Sequence, residues 1–162
     1  MNINELLPQV PIFSTLEPEE VSYLRPFIEK KVFRTGDTVF DEGDPGDGVY
    51  VVAIGAVKAV KQIDAKHTQT LAGFLEKDFF GELSLLDGRP RSARIVATRD
   101  SVLLKISVEK FQEFMQQAPF SALKIISQIA CHLALRLRET NRRLAELENY
   151  RLLHSSDPGA DL

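Results

Sequence analysis

The stretch with the most capacity for chemistry is Phe79-Phe80-Gly81-Glu82-Leu83-Ser84-Leu85-Leu86-Asp87-Gly88-Arg89-Pro90-Arg91-Ser92-Ala93-Arg94. Gly81 lets backbone approach a ligand closely. Glu82 to Leu86 can form one helical turn whose free N–H groups point toward an anion. Gly88 and Pro90 then reverse the chain and return Arg91 and Ser92 toward the start of that turn. An arginine beside free backbone donors makes a phosphate pocket with bidentate, charge-assisted bonds available. A carboxylate so near a phosphate, Glu82, needs a sugar hydroxyl to accept from. Phosphate plus sugar suggests a nucleotide.

No catalytic or metal set is expected elsewhere. Asp41, Asp44 and Asp47 sit in a glycine-rich loop, but their spacing misses the calcium-loop pattern and turn chemistry explains them. His67, His132 and His154 are scattered without a paired metal-ligand motif. The single cysteine, Cys131, reads as a packed small hydrophobe and excludes an internal disulfide, a four-cysteine cluster and a zinc knuckle. Ser84 has no histidine base nearby in sequence. Arg89 and Arg94 read as solvated.

These residues need a scaffold, and its size and composition are ordinary. The chain has 162 residues, 44% of them hydrophobic and 27% charged, which fits one globular domain rather than two. A net charge of −3 argues against unaided binding to nucleic acid. No continuous apolar run approaches the roughly 18 residues of a membrane span. The start, with Glu5 and no basic flank, does not resemble a signal peptide. The expected compartment is the cytoplasm, with no membrane contact.

Eight of the nine glycines fall within residues 36–88, whereas residues 121–156 contain neither glycine nor proline. The first region predicts short strands joined by tight turns, the second a helix. Strands are expected at Lys30–Arg34, Thr38–Asp41, Val49–Ile54, Ala56–Ile63, Thr68–Leu75, Arg94–Thr98 and Ser101–Ile106. Their length and spacing suggest a small β-barrel or sandwich. An amphipathic helix is expected after Ser14-Thr15-Leu16-Glu17-Pro18-Glu19-Glu20, with Val21, Leu24, Phe27 and Ile28 on its buried face. A second short helix carries Phe111, Phe114 and Met115. The division expected is residues 1–118 for the barrel and its short helices, 119–153 for a long helix, and 154–162 for a disordered tail.

The long helix carries Ile126, Ala130, Leu133, Leu137, Thr140, Leu144 and Leu147 at alternating spacings of four and three. That heptad seam predicts a parallel homodimer, because a small barrel cannot cover so long a helix and exposed leucines are a liability in a monomer.

Taken with its surroundings, the segment FGELSLLDGRPRSARIVA closely resembles the phosphate-binding cassette of cyclic nucleotide-binding domains. Gly36, Asp37, Phe40, Glu42, Gly43, Asp44, Asp47, Tyr50, Val52, Gly55 and Val57 match the family's upstream pattern, and the resemblance covers about residues 10 to 150. It implies an α+β fold: a small antiparallel jelly-roll barrel with an N-terminal helix and a long C-terminal helix. It implies backbone contacts from Gly81 and Leu83, and Glu82 accepting from the ribose 2′-hydroxyl. Arg91 would pair with the cyclic phosphate, helped by the Ser92 and Ala93 N–H groups and the Ser92 hydroxyl. Ser84 is a weaker candidate.

The long helix is similar to that of the bacterial catabolite activator family, with Arg136-Leu137-Arg138-Glu139-Thr140-Asn141 where that family has R-L-Q-V-T-S. By this match Thr140 and Asn141 read the base, one from each subunit, with Asn in place of Ser. Ser92 alone does not decide between adenine and guanine; the helix match favours cAMP, with cGMP as the alternative ligand.

The sequence is thus read as a cyclic nucleotide receptor and not an enzyme. It would signal through its dimer or an unidentified downstream protein, with no cofactor and no direct nucleic acid contact. The bacterial activators continue into a DNA-binding domain, whereas this sequence ends at Leu162 and is read as a stand-alone sensor, with a fragment of a longer chain as the alternative. Three rivals are a ligand-independent dimeric interaction module, a sensor of cGMP or a cyclic dinucleotide, and a β-barrel enzyme. The first is disfavoured by the presence of both Glu82 and Arg91, and the last by the lack of an acid/base or metal set.

Overall fold

A computed structural model describes residues 2–154. Eight antiparallel strands form two four-stranded sheets. They are β1 (Glu29–Phe33), β2 (Thr38–Phe40), β3 (Gly48–Ile54), β4 (Ala56–Gln62), β5 (Thr68–Leu75), β6 (Phe79–Phe80), β7 (Arg94–Ala97) and β8 (Ser101–Ser107). One sheet runs β1-β8-β3-β6 and the other β2-β7-β4-β5. Seven strands fall where the glycine spacing puts them; β6 is an addition, a two-residue strand closed off by Gly81.

β3 shows why the barrel forms. Six of its seven residues are buried, so both its faces are covered. Tyr50 and Val52 point between the sheets, where they meet Val57, Ala59, Phe74, Phe80, Ile95 and Leu103. Val49, Val51 and Ala53 point the other way, into a second apolar layer built by the helices. This is the period-2 alternation of a strand with a core on each side.

The helices are α1 (Ile3–Leu6), α2 (Pro18–Leu24), α3 (Leu83–Asp87), α4 (Val108–Gln117) and α5 (Pro119–His154). The start of α2 follows the sequence signal closely: Glu17 caps it, Pro18 takes the first position, and Glu17 and Glu20 exchange side-chain-to-backbone bonds in a capping box. Glu20 then ties α2 to α5, accepting from Ser121 Oγ at 2.7 Å and Lys124 Nζ at 2.6 Å. The Lys124 bond is the largest cause, followed by the Glu17 N–H and Ser121, of a Glu20 pKa lowered to about 2.

The 36 residues of α5 would extend about 54 Å at 1.5 Å per residue. Its first half packs Ala122, Ile125 and Ile129 into the helical core, with Ile126 and Leu133 partly buried beside them. The seam leucines farther on, Leu137, Leu144 and Leu147, are exposed. By length and composition α5 could cross a membrane, with an 18-residue window of mean hydropathy 1.3 of which 22% is buried. That window contains polar and charged residues, so it is not an unbroken apolar run, and Ala122, Ile125 and Ile129 within α5 are occupied in the chain's own core. The tail expected beyond α5 lies outside the described residues.

Candidate functional site

A cavity of about 460 Å³ opens between the β6–β7 connection, the β4–β5 hairpin and α5. Its apolar wall is Phe40, Ala59, Leu71, Ala72, Phe74, Phe80 and Ile95; its polar wall includes Gly81, Glu82, Leu83, Ser84, Arg89, Arg91, Ser92 and Ala93, with Arg136 reaching in from α5. All seven cassette residues singled out from the sequence therefore line one cavity. The helical turn forms as α3, one residue later than expected, with Glu82 as its N-cap and Gly88 ending it in the left-handed conformation.

Arg91 is the centre of the polar wall. Its side chain is 3% exposed. Nη1 donates to Gly81 O at 3.1 Å and Ser84 Oγ at 3.2 Å, and Nη2 to Asp47 Oδ1 at 2.5 Å and Gly48 O at 2.7 Å. The Phe40 ring lies 4.0 Å from the guanidinium carbon, a cation–π contact. The Arg91 backbone is pinned to the neighbouring loop: its N–H donates to Asp44 O at 2.8 Å and its carbonyl accepts from Gly43 N at 2.9 Å. Nε is buried with no hydrogen-bond partner among the described residues. A buried cationic donor left over in this way is unusual and points to an acceptor from outside the chain.

Gly81 serves this arginine directly. Its φ is +78°, and a Cβ there would come within 2.5 Å of Arg91 Nη1. The close approach foreseen for Gly81 is therefore made to the arginine. Ser84 is buried and bonds Gly81 O at 2.8 Å while accepting from Arg91, so it braces the guanidinium.

Glu82 is 3% exposed and accepts from Arg136 Nη1 at 2.7 Å. This ion pair joins the cassette to α5. Thr140 is exposed and lies four residues beyond Arg136, hence on the same helix face one turn farther out. Asn141 is exposed too, and neither residue lines the cavity of the single chain.

Four contributors were missed from sequence. Arg136 was named as the first residue of the helix match and given no role in the site. Asp47 had been assigned to turn chemistry, yet its carboxylate bridges Arg91 and Lys105. Burial works to raise the Asp47 pKa, but the bonds from Lys105 and Arg91 outweigh it and hold the carboxyl below its usual range. Tyr50 stacks on Phe80 at 5.4 Å with an interplanar angle of 2° and so supports the aromatic wall from behind. A signal existed for Lys105: it is the one charge on β8 and shares the phase of the buried Leu103. Of the arginines read as solvated, Arg94 is paired with Asp41, and Arg89 stands exposed on the cavity rim.

The chain belongs to the cyclic nucleotide-binding domain family, whose pattern matches residues 30–118. The cyclic AMP receptor protein of Thermus thermophilus is 34% identical over 134 residues, covering 83% of this chain and 60% of that protein. The cAMP-dependent protein kinase regulatory subunit of Hypocrea atroviridis is 35% identical over 109 residues, covering 67% of this chain and 22% of that protein. Among solved structures, a cyclic nucleotide-binding domain from Methylobacillus flagellatus superposes with a TM-score of 0.77 at 28% identity, covering 89% of this chain and 81% of that one. The chain thus spans about 60% of the Thermus relative's length and far less of the kinase subunit. These relatives are regulatory proteins and subunits.

Proposed function

We propose that this chain is a cytoplasmic cAMP receptor, with Arg91 taking the cyclic phosphate and Glu82 the ribose 2′-hydroxyl. The observation that carries this reading is the Arg91 guanidinium, buried in the wall of a nucleotide-sized cavity with its Nε unpartnered. Ser92 and Ala93 follow Arg91 on the same wall and offer N–H groups, and the Ser92 hydroxyl, to the same phosphate. Gly81 and Leu83 supply backbone contacts, and the aromatic and small residues opposite accommodate the ring systems. Ser84 acts by holding Arg91.

The response runs through α5. A ribose hydroxyl donating to Glu82 competes with Arg136 for the same carboxylate, so ligand and helix position are linked. The exposed leucines 137, 144 and 147 form the seam of a parallel homodimer. In that dimer Thr140 and Asn141 come over the cavity mouths and accept from the exocyclic amine of adenine, which favours cAMP over cGMP. A downstream partner reads the altered helix pair.

Calorimetric titration of the purified chain with cAMP and cGMP side by side tests this reading. The expected result is near one ligand per chain with cAMP bound more tightly. A folded protein that takes up neither nucleotide contradicts it, and tighter cGMP binding removes the base-reading role of Thr140 and Asn141.

A further inference from the structure

Lys105 has no place on the cavity wall, yet it is one of the few charges directed into the barrel. It sits on β8 directly across from Tyr50 of β3, on the same inward phase as the fully buried Leu103. Its side chain is 14% exposed, its ammonium pairs with Asp47, and it lies 5.5 Å from the centroid of the Tyr50 ring. Placing an ammonium there costs desolvation that an apolar side chain of similar length would avoid. Its other cross-strand neighbour, Glu29 on β1, is already paired with Lys31 at 2.9 Å.

The charge count around the phosphate position gives this placement a purpose. Arg91 and Asp47 cancel each other, as do Glu82 and Arg136. Without Lys105 this set of four is neutral, and a cyclic phosphate would bring an uncompensated negative charge beside the Asp47 carboxylate. With Lys105 the set carries one positive charge, and Asp47 can lean on the ammonium while the guanidinium turns to the ligand.

We propose that Lys105 is a positioning residue that acts through Asp47 to leave Arg91 with a net positive charge for an anionic ligand. This inference rests on the cyclic nucleotide reading above. It concerns a residue that touches no ligand atom, and it makes affinity depend on the sum of three side chains 44 and 58 residues apart in sequence.

The test is a set of cAMP titrations on the full chain, with thermal unfolding of each variant recorded alongside. Lys105→Met is expected to bind about tenfold or more weakly, the effect of removing one unit charge at short range behind partial screening. Lys105→Arg is expected to restore most of the affinity. Adding Asp47→Asn to Lys105→Met is expected to recover binding, because Glu82 and Arg136 still cancel and Arg91 is then left without a carboxylate partner; a purely structural role predicts a compounded loss instead. If Lys105→Met does not fold, Lys105→Gln replaces it in the same cycle. Wild-type affinity in the folded Met or Gln variant, with Arg91→Ala inactive, would overturn this inference and leave the receptor reading standing. No cAMP binding by the wild-type chain would overturn both.

Discussion

The β1-β8-β3-β6 sheet has two sides, and they are built to different ends. Its outer side meets α1, α2, α4 and α5 in a layer of aliphatic and aromatic residues, with Phe13, Phe114, Leu24, Ile125 and Ile129 fully buried. Its inner side faces the second sheet, where the rings of Phe40, Tyr50, Phe74 and Phe80 pack together and Phe40 and Tyr50 face the buried Arg91 guanidinium. The outer layer gains from every contact it makes. The inner layer carries charges whose burial is costly unless paired. The difference teaches that most of the stability and most of the recognition are held on opposite faces of the same strands, and that the two meet where Arg136 of α5 reaches Glu82.

Phe114→Ala is the severest test of that separation. Phe114 is fully buried and packs edge-on against Phe27 with centroids 5.4 Å apart. Its truncation is expected to cost about 3–5 kcal/mol of folding stability, the range for deleting a buried aromatic. The protein that remains folded should bind cAMP with unchanged affinity. A large loss of affinity in the folded fraction would show that the outer layer shapes the site.

Acid provides a milder test of the outer side. Protonating Glu20 breaks its bonds to Lys124, Glu17 N and Ser121. Because its folded pKa of about 2 lies below the ordinary carboxylate value, its contribution is complete at neutral pH. That contribution is lost progressively as pH falls below about 4.3 toward 2. Urea unfolding at pH 7 and pH 3 should show a smaller acid-induced drop for Glu20→Gln than for the wild-type chain. Equal drops in the two proteins would remove Glu20 as the latch between α2 and α5.

The fold was legible because its signals are local. Glycines ending each strand, Pro18 after an acidic cap, and a glycine-free final segment each act within a few residues. The cassette was legible for the same reason, since Gly81 through Ala93 span one short connection. What escaped notice was assembled over distance. Asp47 meets Arg91 across 44 residues, Arg136 meets Glu82 across 54 and Lys105 meets Asp47 across 58. Each looked like ordinary loop, helix or strand charge until the sheets closed. β6 escaped because two residues are too few to show a period. The heptad seam was only partly informative, since Ile126 and Leu133 are drawn into the chain's own core while Leu137, Leu144 and Leu147 stay exposed.

The measurement that bears most directly on the inner side is cAMP affinity for Arg91→Ala beside wild type, with the unfolding midpoint of each. Asp47 keeps Lys105 when the guanidinium is removed, so no carboxylate is stranded and folding should be largely preserved. Affinity should fall by about 2–5 kcal/mol, the usual cost of deleting a buried, hydrogen-bonded charge partner. A variant that folds and binds cAMP as tightly as wild type would contradict the assignment of Arg91 to the phosphate.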